Sequence, residues 1–313
     1  MTQVSVWSPA AARRLTARDR ARRFVQQYGW GYAFVLPSLL TFALFVLMPV
    51  VWAFIISLQD YGLSGSRGWV GLENYRAAFI TQSGVFQVAI RNTLIYTVVT
   101  VATNILVGLV LASLIRPLNQ WSQTFFRAAY YLPTVISAVI IGVIWRWIYN
   151  TQWGLLNYLL GFVGIGPIRW LSDPDIAFTS VILQRMLTIP ATAIILYSAA
   201  MASIPGDLYE AAEVDGASPF RKWWNLTVPL IQPTTLFLVV LYTISSFEVF
   251  DLIYVLVPSG VGNSTQVIVT QIYQNGFVQF RYGIAAAQAF VLFLMVAAVA
   301  IAQFRVLRSD VQY

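Results

Sequence analysis

The sequence has no cysteine and no histidine, and a single lysine, Lys222, among 313 residues. Disulfides are excluded, as are Cys/His metal sites and Ser-His or Cys-His nucleophilic catalysis. No GxxxxGK[ST] run precedes Lys222, so the chain carries no phosphate-cradling P-loop. Any ATP chemistry linked to it belongs on a partner. Charge is scarce too, at 10% of residues, against roughly 25% in soluble domains.

What is abundant is apolar. Hydrophobic residues make up 58% of the chain and the mean hydropathy is +0.70, the composition of an integral membrane protein. The net charge of +7 comes mostly from a tail holding Arg13, Arg14, Arg18, Arg20, Arg22 and Arg23. Membrane proteins routinely carry basic cytoplasmic flanks, so this charge does not indicate nucleic-acid binding. The expected organisation is a basic cytoplasmic tail, 1–30, disordered at its start, then a membrane domain, 31–308, and a short C-terminal tail, 309–313. The apolar run after the first tail is too long for the h-region of a cleaved signal peptide.

Six apolar stretches are expected to span, at about 31–58, 92–115, 128–149, 176–201, 230–257 and 282–304; a span needs roughly 20 residues. Pro37 and Pro49 should break up the first, and Pro190 falls in the middle of the fourth. A polar segment, 59–91, follows the first span, and a short basic loop with Arg116 and Arg127 precedes the third. A Gly-rich loop ending in WLSDPD lies before the fourth. A Gly/Ser/Asn-rich loop, 258–264, and an amphipathic stretch around 266–280 lie before the sixth. With the N-terminus inside, inner segments hold twelve Lys/Arg and outer ones five. The positive-inside rule therefore places both termini in the cytoplasm. There is no inverted repeat of the secondary-transporter kind.

Between the fourth and fifth spans lies DLYEAAEVDGASPFRKWWNLTVP, 207–229, which reads as helix, tight turn and helix. Asp207 suits an N-cap, with Glu210 as its capping-box partner. Gly216 suits the left-handed position that ends a helix. Ser218-Pro219 reads as a second N-cap with proline at N1. Leu208, Ala211 and Ala212 share a face on which two alanines permit close approach by another surface.

Four charges fall inside expected spans: Arg146, Arg185, Glu248 and Asp251. At mid-bilayer each costs at least about 2.5 kcal/mol, so such residues face a bundle interior or an aqueous cavity. Arg146, between Trp145 and Trp147, reads as an interfacial anchor. Arg185 with Thr188 and Thr192, and Glu248 with Ser245 and Asp251, read as two polar stripes. They suit an Arg185–Glu248 pair, the lining of a hydrophilic pathway, or both.

Residues 204–233, IPGDLYEAAEVDGASPFRKWWNLTVPLIQP, closely resemble the EAA motif of permease subunits of bacterial ABC importers. The likeness is nearest to the carbohydrate-uptake group of maltose-type and glycerol-3-phosphate-type permeases. Glu210, Ala211, Ala212, Asp215, Gly216, Leu226, Pro229 and Pro233 fall at the family's spacing. GLENYRAAF at Gly71, NTLIYT at Asn92, YYLPTVIS at Tyr130, WLSDP at Trp170 and FEVFDLIYVL at Phe247 agree with it. The last looks more like the first permease of a heteromeric pair than the second. The resemblance covers about 30–308.

The resemblance implies an all-α membrane protein with the type I ABC importer permease fold. Six transmembrane helices would carry a cytoplasmic coupling helix between the fourth and fifth, within 204–230. Glu210, Ala211, Ala212, Asp215, Gly216 and Pro229 would couple to the ATPases. The partners implied are a second homologous permease subunit, two ATPase subunits holding ATP and Mg, and an extracytoplasmic solute-binding protein. This chain would bind no cofactor or metal and would not be an enzyme. It would sit among lipid in the bacterial cytoplasmic (inner) membrane and move a sugar, oligosaccharide or sugar derivative by alternating access.

The positions where relatives hold sugar correspond to Thr134 and Ala138 in the third span, and to Arg185, Thr188, Ile189 and Thr192 in the fourth. In the fifth they are Leu241, Ile244, Ser245 and Glu248. Maltose-type relatives carry neutral amides, aromatics and hydroxyls at several of these. The charges on Arg185 and Glu248, and the bland Ile189 and Ala138, weaken a maltose assignment. They leave glycerol-3-phosphate or a phosphodiester, facing Arg185, as an alternative substrate. Readings from a different class are an ion-driven secondary transporter working through Glu248 and Asp251, and a membrane-anchored assembly or sensor protein.

Overall fold

Proline decides where the helices of this chain bend. The computed structural model describes residues 17–81, 84–257 and 261–306, and the chain divides into two units, 1–53 and 54–313. Arg13 and Arg14 of the basic tail, and Arg308 of the C-terminal one, lie outside the described residues. Helix α1 (Ala17–Phe42) contains Pro37 and passes through a π turn, Ala43–Leu47, into α2 (Met48–Ser57). The first span is therefore continuous, not broken up as expected. A proline lacks an N–H and crowds the carbonyl four residues back; the wider turn just before Pro49 absorbs that mismatch. No described residue from 27 to 53 is buried.

In the second unit, β1 (Gln59–Gly62) and β2 (Gly65–Trp69) form an antiparallel hairpin, followed by α3 (Glu73–Arg76). GLENYRAAF is a fastener: Asn74 Nδ2 donates to the carbonyls of Ser57 and Gln59, both at 2.8 Å, and the Tyr75 hydroxyl bonds Ser57 Oγ at 2.8 Å. Helix α4 (Val85–Ile115) starts at Val85, earlier than the expected 92, and runs without interruption.

The third span is not one helix. α5 (Gln120–Tyr131) holds Arg127, which was expected in a loop, and meets α6 (Ala138–Ile148) at 94°. Pro133 sits in the 3-10 turn between them, and Ser137 restarts the chain as the N-cap of α6, accepting from the Ile140 N–H. The Gly-rich loop hides a helix, α7 (Leu155–Gly161). Asn157 ties that loop together. It accepts from the Ile168 N–H and Trp170 Nε1 and donates to the carbonyls of Thr151 and Ile168.

The fourth span is α8 (Ala177–Leu187) and α9 (Ala191–Ala202), with Thr188 extended before Pro190. α10 (Gly206–Val214) and α11 (Pro219–Lys222) form the polar insertion. A π turn, Trp223–Thr227, leads to α12 (Val228–Leu230). α13 (Gln232–Phe247) follows at 65°, because Pro229 and Pro233 bracket the bend with two missing N–H groups. α14 (Asp251–Leu256) and α15 (Ile268–Tyr273) precede the last span, α16 (Tyr282–Val306). Among the described residues four helices are long and apolar enough to cross a membrane, or up to six where each bent pair counts as one span.

The core forms where α4 meets α9 and α13, through Leu109, Ala112, Ala193, Tyr197, Leu238 and Tyr242. Small residues set the approach. A Cβ on Gly108 would overlap the Ala193 methyl, and one on Gly283 the Gln59 carbonyl and Asn74. Overpacking of this kind costs about 1–3 kcal/mol or more. Gly108→Ile should therefore lower the yield of monodisperse detergent-extracted protein severalfold. Gly161→Ala, where nothing lies within 4 Å, should leave it unchanged.

Candidate functional site

The insertion between α9 and α13 is a capped helical hairpin. At the end of α10 the Ala217 N–H reaches the Ala212 carbonyl (2.9 Å) and the Gly216 N–H that of Glu213 (3.0 Å), with Gly216 at φ +76°. This is the Schellman pattern, which favours glycine. Ser218 Oγ then accepts from the Arg221 N–H, with Pro219 at N1. Lys222 joins the arms through Glu213 at 3.0 Å.

Two expectations for the hairpin fail. Pro205 is the N-cap and no side chain caps α10. The helix begins one residue before Asp207, which leaves that carboxylate inside the first turn, so the Asp207–Glu210 capping box does not form. Nor do both alanines face outward: Ala211 is exposed but Ala212 is half-buried, on the Tyr209 side one turn along. Glu210, Asp215, Gly216 and Pro229 are exposed. Sequence reading passed over Val214, 89% exposed, and Phe220, 70% exposed, two apolar side chains on the surface of the same hairpin.

The second feature is a pair of helix interruptions. The fourth span breaks over 188–190 and the fifth over 248–250. Both expected polar stripes therefore end at a break and do not run on as helical faces. Arg185, half-buried, lies in the last turn of α8 and acts electrostatically on Tyr96 and Tyr242. Thr192 is exposed at the start of α9, and the next residue, Ala193, donates its N–H to the Tyr242 hydroxyl at 3.1 Å. Thr188 Oγ1 turns back to the Gln184 carbonyl at 2.9 Å. Ser245 and Glu248 are exposed on α13, Glu248 as its C-cap, and Asp251 opens α14.

Tyr242 thus bonds the start of α9 just past the first interruption, within electrostatic reach of Arg185, with Ser245 one turn further on. Among the described residues the ion pairs are Glu73–Arg76 and Glu213–Lys222, so Arg185 and Glu248 do not pair. Thr134 bonds its own backbone, at the Tyr131 carbonyl (2.6 Å), and no hydrogen bond ties it to the others. Beside the second interruption the rings of Phe250, Tyr254 and Tyr273 lie 5.1–5.2 Å apart, and Phe277 stacks on Tyr273 at 5.6 Å. The hydrogen bond with Tyr254 holds the Tyr273 phenol above its ordinary pKa.

A third feature was missed because it carries no formal charge. Thr93, Thr97, Thr100 and Asn104 form a buried polar line down α4, at spacings of three and four that periodicity alone would have found. A 680 Å³ cleft lined by Trp147, Trp153 and Tyr158 contains none of the expected pathway residues.

Residues 104–309 match the family described as the inner membrane component of binding-protein-dependent transport systems. The chain belongs to this family. It is 32% identical to the probable ABC transporter permease protein YurN of Bacillus subtilis over 89% of this chain and 96% of that one. It is 30% identical to the trehalose/maltose transport system permease protein MalF of Thermococcus litoralis, over 88% and 92%. The permease also superposes on a chain of a bacterial ABC transporter involved in import of the acidic polysaccharide alginate. That match has a TM-score of 0.81 and 25% identity, and covers 94% of this chain and 100% of the other. The protein is thus a transport subunit of type I importer fold in the inner membrane. Gly216 has open space around it but positive φ, so Gly216→Ala should cost the hairpin about 1 kcal/mol, read as faster amide exchange over 212–217 with the spans unaffected.

Proposed function

We propose that this permease is one transmembrane subunit of an ATP-driven importer for a sugar, oligosaccharide or sugar derivative, working by alternating access. The observation that carries the reading is the capped hairpin, which turns Glu210, Ala211, Asp215 and Gly216 outward while its arms lead directly into the two interrupted spans. Such an element docks on a partner and moves the helices it joins. Two ATPase subunits would bind and hydrolyse ATP with Mg, and the hairpin would seat on them through Glu210, Ala211, Ala212, Asp215 and Gly216, with Pro229 setting the bend behind it. This chain would hold no cofactor or metal, and its charge pattern favours cytoplasmic termini.

The sugar class is supported by what the named relatives carry and by ring faces beside polar groups at the interruptions, a combination suited to a polyhydroxyl ligand. A second homologous permease would complete the pathway, to which Thr134, Arg185, Thr188, Thr192, Ser245 and Glu248 contribute one wall. An extracytoplasmic solute-binding protein would deliver the substrate.

A second reading is a phosphorylated or acidic substrate. It is favoured by Arg185, a half-buried cation that forms no ion pair with a carboxylate among the described residues.

In proteoliposomes of the complete complex, uptake should require ATP on the hairpin side and binding protein on the other. Glu210→Lys should reduce it at least tenfold without loss of folded permease. Uptake by this chain alone, driven by a proton gradient, would sink the proposal. Arg185→Ala should leave neutral-sugar uptake within about twofold but cut uptake of an acidic or phosphorylated substrate more than tenfold.

A further inference from the structure

The hairpin is bonded to more than the spans it connects. Arg116, the C-cap of α4, donates from Nη1 to the Tyr209 hydroxyl at 2.6 Å, and its Cζ lies 4.2 Å from the centroid of the same ring. That hydroxyl also bonds Thr227 Oγ1 at 2.8 Å. One turn up α4, Ser113 Oγ accepts from Trp223 Nε1 at 2.8 Å. Both arms of the hairpin are thereby fastened to the same helix end, around a cleft of about 410 Å³.

At its other end α4 holds the segment leading into α15. Asn92 Nδ2 donates to the carbonyls of Ser264 (2.7 Å) and Gln266 (2.9 Å), and Thr93 Oγ1 accepts from the Ile268 N–H at 3.1 Å. Asn92 to Arg116 is a rise of about 36 Å at 1.5 Å per residue, enough to cross the hydrocarbon core.

Between these ends α4 contains no proline and no break. The fourth and fifth spans, which flank the hairpin, are both interrupted, so a displacement along either is taken up at 188–190 or 248–250. α4 is also gripped midway by the Thr100–Ser246 bond and the Gly108–Ala193 contact.

We propose that α4 is a transmembrane strut that carries hairpin displacement to the 264–268 segment. Tyr209, Arg116 and Ser113 are its positioning residues at one end, and Asn92 and Thr93 at the other. The inference deepens the proposed function and rests on it. A displacement of the hairpin pulls on the Arg116 and Trp223 bonds, the rod moves as a body, and Asn92 and Thr93 re-aim the outer segment. The same bonds run the message in reverse, since coupling between two equilibria is reciprocal.

The test uses the reconstituted complex with its ATPases and substrate-loaded binding protein. In wild type, trapping with ATP-Mg and vanadate should change hydrogen exchange over 264–268. In Tyr209→Phe that response should fall at least threefold while nucleotide is still trapped. Ser113→Ala, which removes the Trp223 bond together with the hydroxyl's own bond to the Leu109 carbonyl one turn back, should act in the same direction and serves if Tyr209→Phe does not assemble. Asn92→Asp removes both donors at the far end. It should leave basal ATP hydrolysis unchanged but reduce stimulation by binding protein about fivefold. Sites this far apart normally act additively; here Tyr209→Phe with Asn92→Asp should be no worse than the more severe single variant. A purely structural role would scale basal and stimulated rates together. A wild-type response at 264–268 in the variants, additive effects, or parallel loss of both rates would each overturn the strut. A wild-type complex that traps no nucleotide would instead overturn the proposed function.

Discussion

Backbone groups in hydrocarbon have no water to bond, so every departure from helix inside a span must be satisfied by protein or placed beside a polar cavity. Much of this fold follows from that constraint. At two prolines that do not stop their helix, a π turn takes up the strain, before Pro49 and again over Trp223–Thr227 ahead of Pro229. Hydroxyl residues within helices fold back onto carbonyls of the preceding turn, as Thr93, Thr100, Thr103, Ser113 and Thr188 do. The interruptions that remain, over 188–190 and 248–250, collect the charged and hydroxyl side chains that a lipid-facing helix could not carry.

The interface around α4 shows the other side of the same constraint. Thr97 Oγ1, Asn104 Nδ2 and Gln184 Oε1 are buried with no hydrogen-bond partner among the described residues. An apolar seam of the same shape would pack more favourably. Polar groups held below their bonding capacity suit a packing that exchanges with another of similar energy, as alternating access demands. The glycine and alanine contacts between α4 and α9 keep the backbones close at the same seam.

Segments with strong local chemistry were legible in the sequence. The hairpin turn was readable because Gly216, Ser218 and Pro219 each answer a specific backbone requirement, and those requirements are local. The six spans were readable from hydropathy, and the family from the spacing around Glu210. What stayed hidden was non-local or cumulative. Whether Pro49 breaks its helix depends on the π turn before it, and no residue type signals that. The 94° turn at Pro133 and the helix inside the Gly-rich loop depend on tertiary partners such as Trp170. Arg185 and Glu248 suited either a pair or a pathway lining by charge alone; each lies against a separate interruption and they do not pair. The polar line on α4 was present as plain periodicity and was overlooked because threonine and asparagine carry no charge.

The Schellman turn and Ser218 cap bear on association kinetics. They close the hairpin with contacts no more than a few residues apart in sequence, which a chain forms at little loop-closure cost. If the hairpin docks as proposed, a turn closed in advance would lose little chain entropy on meeting a partner. Its encounter would then be limited by diffusion and orientation instead of folding. The same rigidity means that force applied at Val214 or Phe220 reaches the helices behind the hairpin undiminished by bending of the turn.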